Sequence, residues 1–136
     1  MTENTRLMCG IILLTIPTIA YGGSFLLSVL SGKFDKANFT PFQKAMFRAG
    51  HAHAGVLVML SLIAEFLTDY TALSLPLEWL VRSGFPTSAL LVSGGFFAAA
   101  GGKGLSKPNK FIFLIYVGAI LLSVALITLG VGLVSN

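Results

Sequence analysis

The 136-residue sequence predicts an all-α integral membrane protein, a bundle of four transmembrane helices forming one domain over residues 1–136. Three observations predict it. Hydrophobic residues make up 55% of the chain and charged residues 10%, against about 25% charged in a soluble domain. Mean hydropathy is +0.88. The apolar residues gather into four stretches, roughly 7–30, 41–69, 84–100 and 111–134, each near the roughly 20 residues that a spanning helix needs. In lipid, backbone groups must be satisfied within the segment, so stretches of this composition are helices.

The first stretch follows "MTENTRLM", which holds one arginine and one glutamate and leads into an apolar run of full membrane length. It reads as a transmembrane helix that stays rather than a cleaved leader. The second has a defined start. In "TPFQ", Thr40 is an N-cap, Pro41 takes the first helical position and Gln43 closes a capping box. A helix from Pro41 to Asp69 is about 43 Å long, more than the ~30 Å hydrocarbon core. Its first turns, with Gln43, Lys44 and Arg48, are therefore expected in headgroups or water. Before the third stretch, "SLPLEWLVRSGFP" supplies Trp79 and Arg82 as interfacial anchors, and Pro86 lets the chain bend into the bilayer. The third stretch carries small-xxx-small pairs, Gly84 with Ser88, Gly94 with Ala98 and Gly95 with Ala99. They predict the most closely packed helix, buried through Gly94, Gly95 and Ala98. "GGKGLSKPNK" is a basic loop without the spacing of a phosphate loop.

The net charge of +4 sits in short loops, which is the pattern of topology signals and not of nucleic-acid binding. Arg6 and Arg82 fall on one side. Lys33, Lys36, Lys44, Arg48, Lys103, Lys107 and Lys110 fall on the other. The expected localisation is a bacterial inner membrane, with both termini outside and the loops between helices 1–2 and 3–4 in the cytoplasm. The single cysteine, Cys9, excludes an intrachain disulfide and a CxxC motif.

Both histidines stand in "FRAGHAHAGVLVML" at the mouth of the second helix. At about 100° per residue, Lys44, Arg48, His51, Gly55, Val58, Leu62, Glu65 and Asp69 form one stripe. Intramembrane charges face the bundle or water, so the stripe is expected to face the other helices. Glu65 is about 21 Å along the axis from His51, too far for a catalytic pair. His53 lies about 200° around the helix from His51, so the two rings cannot chelate one metal. Met46 and Met59 are about 10.5 and 9 Å along the axis from His53 and read as packing. Three readings of the histidines stand. Each ring hydrogen-bonds a neighbouring helix. Alternatively, one ligates haem or a metal whose other ligand comes from a second chain of a homo-oligomer. In the third reading, Arg48 binds an acidic group while His51 titrates, beside a polar stripe ending in Glu65 and Asp69. Arg48, His51 and Gly55 are the candidate ligand-binding residues, and His51 and His53 the candidate intersubunit metal ligands.

"HAHAGVLVMLSL", then "LEWLVRSGFPTSALLVSGGFF" and a fourth apolar helix, resembles small four-helix membrane proteins that look like fragments of the catalytic subunit of haem-copper oxidases and nitric oxide reductases. His51 and His53 hold the motif positions, and Gly84 to Pro86 the break. The resemblance implies haem or copper association, and respiratory complexes as partners beside membrane lipids. Two histidines are too few for a complete respiratory site in one chain. "FRAGHAHAG" also resembles the second-helix Arg-Ala motif of the membrane-associated eicosanoid and glutathione metabolism family, which implies a trimer with Arg48 on a glutathione carboxylate. That family's asparagine and glutamate are replaced by Ala52 and Gly55. The leading expectation is thus a small membrane protein with a histidine/arginine site near the cytoplasmic face, associated with haem or a metal. A glutathione-using enzyme, a small proton-coupled transporter and a cofactor-free structural subunit are the alternatives.

Overall fold

The structure is a computed structural model that describes residues 1–33 and 38–135. It consists of α1 (Glu3–Leu30), α2 (Pro41–Thr68), α3 (Leu75–Ala99) and α4 (Phe113–Val134), the last entered through a 3-10 turn at Lys110–Ile112. No strand occurs among the described residues. The all-α membrane bundle is therefore the fold of the protein. α1, α2 and the segment Lys110–Val134 are long and apolar enough to cross a membrane. α3 falls short of that apolarity because it carries Glu78 and Arg82 and is interrupted by Ser83, Ser88 and Ser93. It lies between α2 and α4, so much of its surface meets protein and not lipid.

The capping box forms as the sequence predicts. The Thr40 hydroxyl accepts from Gln43 N at 3.2 Å, and Gln43 Oε1 accepts from Thr40 N at 3.1 Å. Gln43 does not stand in water, however. Its Nε2 donates to the carbonyls of Ala100 and Gly102, both at 2.8 Å. Those carbonyls follow the end of α3, where a helix leaves acceptors unpaired. One side chain thus closes the start of α2 and the end of α3 together. The Thr40 hydroxyl also donates to the Leu105 carbonyl.

The third helix departs from expectation. It starts at Leu75, nine residues before the predicted 84, and runs without a break through Pro86. Proline removes the bond to the Arg82 carbonyl and costs about 3 kcal/mol in an isolated helix. Packing against α2 on one side and α4 on the other offsets that loss. Arg82 is consequently inside the protein and is not an interfacial anchor.

Glycines set the spacing of α3 and α4. A Cβ on Gly95 would stand 2.8 Å from Ile115 Cγ1 and 3.0 Å from Ile115 N, and one on Gly118 would stand 3.0 Å from Val92 N. Gly84 faces Ala125 in the same way. The pairs Gly84/Ser88 and Gly95/Ala99 are buried as predicted. Gly94 is not: it faces open space on another flank. The consecutive glycines are about 100° apart, so one of them must leave the interface.

Thr2 bonds to Asp69, and Gly132 sits against Leu73 and Thr71. Both termini therefore share one end of the bundle, the terminal end. The connections after α1 and after α3 share the other, the loop end. Lys36, counted above in the charge balance, lies outside the described residues. α1 is tied at both ends. At the loop end Leu26 and Val29 join a core with Phe47 and Ala100, and Phe25 meets Phe47 edge to face at 5.8 Å. At the terminal end Thr2, Asn4 and Thr5 bond to acidic and basic side chains of α2 and α3. Between these ties, α1 and α3 stand apart.

Candidate functional site

The gap between α1 and α3 is a cavity of about 290 Å³, floored by α2. α1 lines it with Ile12 and Thr15, α2 with His51 and Val58, and α3 with Ala89 and Ser93. The lining holds no Lys, Arg, Asp or Glu. Its mouth opens sideways. Ile11 and Leu90, at 49% and 70% exposure, flank it on α1 and α3, away from the helix ends.

His51 reaches the cavity because α1 has no side chain in its way. A Cβ on Gly23 would stand 3.0 Å from His51 Cε1 and 3.2 Å from Nε2, and one on Gly22 3.9 Å from Nδ1. Gly22 and Gly23 therefore form a seat for the imidazole. No hydrogen bond among the described residues involves that ring, whereas the His53 ring has two contacts. His53 Nδ1 donates to the Ala49 carbonyl of its own helix at 2.8 Å, and its ring lies 4.9 Å from that of Phe96. The two histidines are thus on opposite flanks of α2, as their spacing requires. No group of three His, Cys, Asp or Glu side chains that could hold a metal occurs among the described residues.

The rest of the stripe divides. Arg48 is exposed and makes no ion pair among the described residues; Lys44 is half-buried. Gly55 has open space where a Cβ would be, but the space is a shallow outward groove shared with Val56, Met59 and Ile63. Val58 faces the cleft, and the far end of the stripe enters the bundle. Glu65 is 1% exposed and Asp69 is half-buried at the end of α2.

There they meet Arg82. Its Nη1 donates to Glu65 Oε2, its Nη2 to Asp69 Oδ1 and its Nε to Glu78 Oε1, each at 2.8 Å. Nη1 also donates to the Thr5 hydroxyl at 2.9 Å. Thr5 in turn donates to Asp69, which further accepts from Thr2 N at 3.0 Å and from the Thr2 hydroxyl at 2.8 Å. Asn4 donates to Glu78 at 3.3 Å. Burial opposes the charge on Asp69, but the hydrogen bonds from Thr5, Arg82 and Thr2 outweigh it and hold the carboxyl well below the usual carboxylate range. One guanidinium with a fork of five donors satisfies three carboxylates and binds α1, α2 and α3 together.

No protein-family model, curated protein or solved structure matches the chain. The site is therefore read from its own chemistry. Sequence reasoning placed His51 apart from His53 and turned Glu65 and Asp69 inward, but it missed their partner. The signal was present: Glu78 and Arg82 are four apart, the spacing of a helical ion pair. The expected topology puts two basic residues, Arg6 and Arg82, on the side of the three carboxylates, and of these Arg82 has the helical spacing to Glu78.

Proposed function

We propose that the protein is a membrane-embedded binding protein that takes an amphiphile from the bilayer into the cleft between α1, α2 and α3. The observation that carries this reading is the His51 ring, seated on two glycines beside an uncharged cavity that opens sideways between the exposed apolar side chains of Ile11 and Leu90. Pockets of this kind, largely apolar with a few placed polar groups, are the usual form of small-molecule sites. The ion cluster lies about 21 Å from His51 along α2 and holds α1 in place. It is fully paired and serves the site as a clasp. The reading keeps His51 as the ligand-binding residue. It gives Arg48 the role of a charge at the membrane surface and Gly55 that of a lipid-facing position.

Copper does not fit the cleft, because His51 is its one strong metal ligand and His53 points elsewhere. A haem would find a single axial nitrogen there, at His51. The glutathione reading places Arg48 at a subunit interface; in the single chain the residue is exposed.

The experiment is a paired substitution on detergent-purified protein, with extraction and mass analysis of co-purified amphiphiles. His51→Ala is expected to lose the co-purified ligand. His53→Ala is expected to retain it and to cost about 1 kcal/mol of stability, the scale of one hydrogen bond. Equal loss of ligand from both variants would show that the two rings act as one site. A visible absorption spectrum taken on the same preparation would expose a haem directly.

We also propose the orientation that the basic residues imply, with the loop end in the cytoplasm and both termini outside. In a Cys9→Ser background, impermeant thiol reagent applied outside should label Ser135→Cys and spare Lys107→Cys. The opposite pattern would invert the protein in the membrane.

A further inference from the structure

Helical serines and threonines commonly bond to the carbonyl four residues back. Ser61, Thr68 and Ser88, the other buried hydroxyls within α2 and α3, do so at 2.7 Å each. Ser93 does not. The residue is 8% exposed, and its Oγ is the one buried side-chain polar atom without a hydrogen-bond partner among the described residues. It lines the cleft beside His51. An unbonded buried hydroxyl is costly, and a ligand oxygen would relieve it.

The two polar groups are close in depth. Gly50 lies against Phe97, so in the antiparallel α2–α3 pair Ser93 is level with Ala54. That is three residues, or about 4.5 Å, deeper than His51. Beyond them the walls are mostly hydrocarbon, with Ile12, Val58, Pro86 and Leu90; Thr15 and Thr18 also line the cleft, but their hydroxyls donate to the Ile12 and Thr15 carbonyls of their own helix. A charged head would find no opposite charge in the lining and would be penalised by the medium. At about 290 Å³ the cavity is at the lower end of small-molecule sites, which suits one chain better than two.

Building on the binding role proposed above, we infer that the cleft recognises an uncharged single-chain amphiphile whose head carries a carbonyl-type oxygen. Ser93 Oγ donates to that oxygen, and the His51 ring is its second polar contact. The chain lies along α1 and α3 toward the middle of the membrane.

The test uses detergent-solubilised protein with 15N-labelled histidine, titrated with three probes of one chain length: methyl dodecanoate, dodecane, and dodecanoate at alkaline pH. The His51 resonance is expected to respond to the ester at a concentration about tenfold lower than to dodecane, the equivalent of one buried hydrogen bond. The charged dodecanoate is expected to bind more weakly than the ester. Ser93→Ala should remove most of the ester's advantage over dodecane, leaving what the His51 ring supplies, and should leave the unliganded protein at least as stable as the parent. Equal half-saturation by ester and dodecane would overturn the inference while the cleft stands. So would tighter binding of dodecanoate, or an ester preference undiminished by Ser93→Ala. If no probe moves the His51 resonance, the binding role itself fails.

Discussion

Replacing Arg82 with methionine is expected to destabilise the protein by about 3–5 kcal/mol, the cost of leaving buried charge without its partner. Arg82 is 2% exposed and bonds to three carboxylates and a hydroxyl. Methionine approximates its length but leaves Glu65 with no cation and no other side-chain donor among the described residues. Arg82→Lys should recover part of the loss, because one ammonium cannot reproduce the planar fork. Arg48→Ala, on an exposed side chain, should stay within about 0.5 kcal/mol of the parent. Unfolding midpoints in one detergent would check all three. A combined Arg82→Met, Glu65→Leu, Asp69→Asn variant separates paired charge from buried charge. It should regain part of the stability, since it removes the charges at Glu65 and Asp69 together with their partner and leaves only Glu78, whose side chain is 24% exposed. A parent-like midpoint for Arg82→Met alone would mean that the cluster is solvated in the membrane and is not a clasp. The same variant should loosen α1, which the cluster ties through Thr2, Asn4 and Thr5.

The features legible in the sequence are those that one helix decides for itself. Helix number follows from composition, and the start of α2 from Thr40, Pro41 and Gln43. The opposite directions of His51 and His53 follow from rotation about a single axis. Features that depend on two helices at once were hidden. Arg82 looks like an interfacial anchor until α3 extends back to Leu75 and brings it over Glu65 and Asp69. Gln43 looks exposed until the end of α3 offers it two carbonyls. The cleft depends on what is missing between α1 and α3, and no residue type marks a gap. Nothing in the sequence marks Gly22 and Gly23 as the place where the His51 ring rests.

Gly95 and Gly94 should respond in opposite ways to the same substitution, although they are neighbours. Gly95→Leu is expected to separate α3 from α4 and to cost about 3 kcal/mol or more, the upper range for overpacking. The reason is that even a Cβ there would stand 3.0 Å from the Ile115 backbone nitrogen, and a backbone atom cannot swing aside as a side chain can. At Gly94 a Cβ meets nothing within 4 Å. Leucine there removes a helical glycine, which by propensity alone stabilises by up to about 1 kcal/mol. Its effect falls on the cleft, which Gly94 lines. A stable protein with reduced uptake of the ester probe is the expected phenotype of Gly94→Leu, and an unstable one that of Gly95→Leu. The two measurements, unfolding midpoint and ester titration, place each glycine independently. If Gly94→Leu destabilised as much as Gly95→Leu, α1 would have to close onto α3 in solution and the cleft would not be open to the bilayer. Closure of that kind would also bury Leu90 and Ile11, whose exposure defines the mouth. The pair therefore tests the packing of α3 and the existence of the entrance by one leucine, moved one position along the chain.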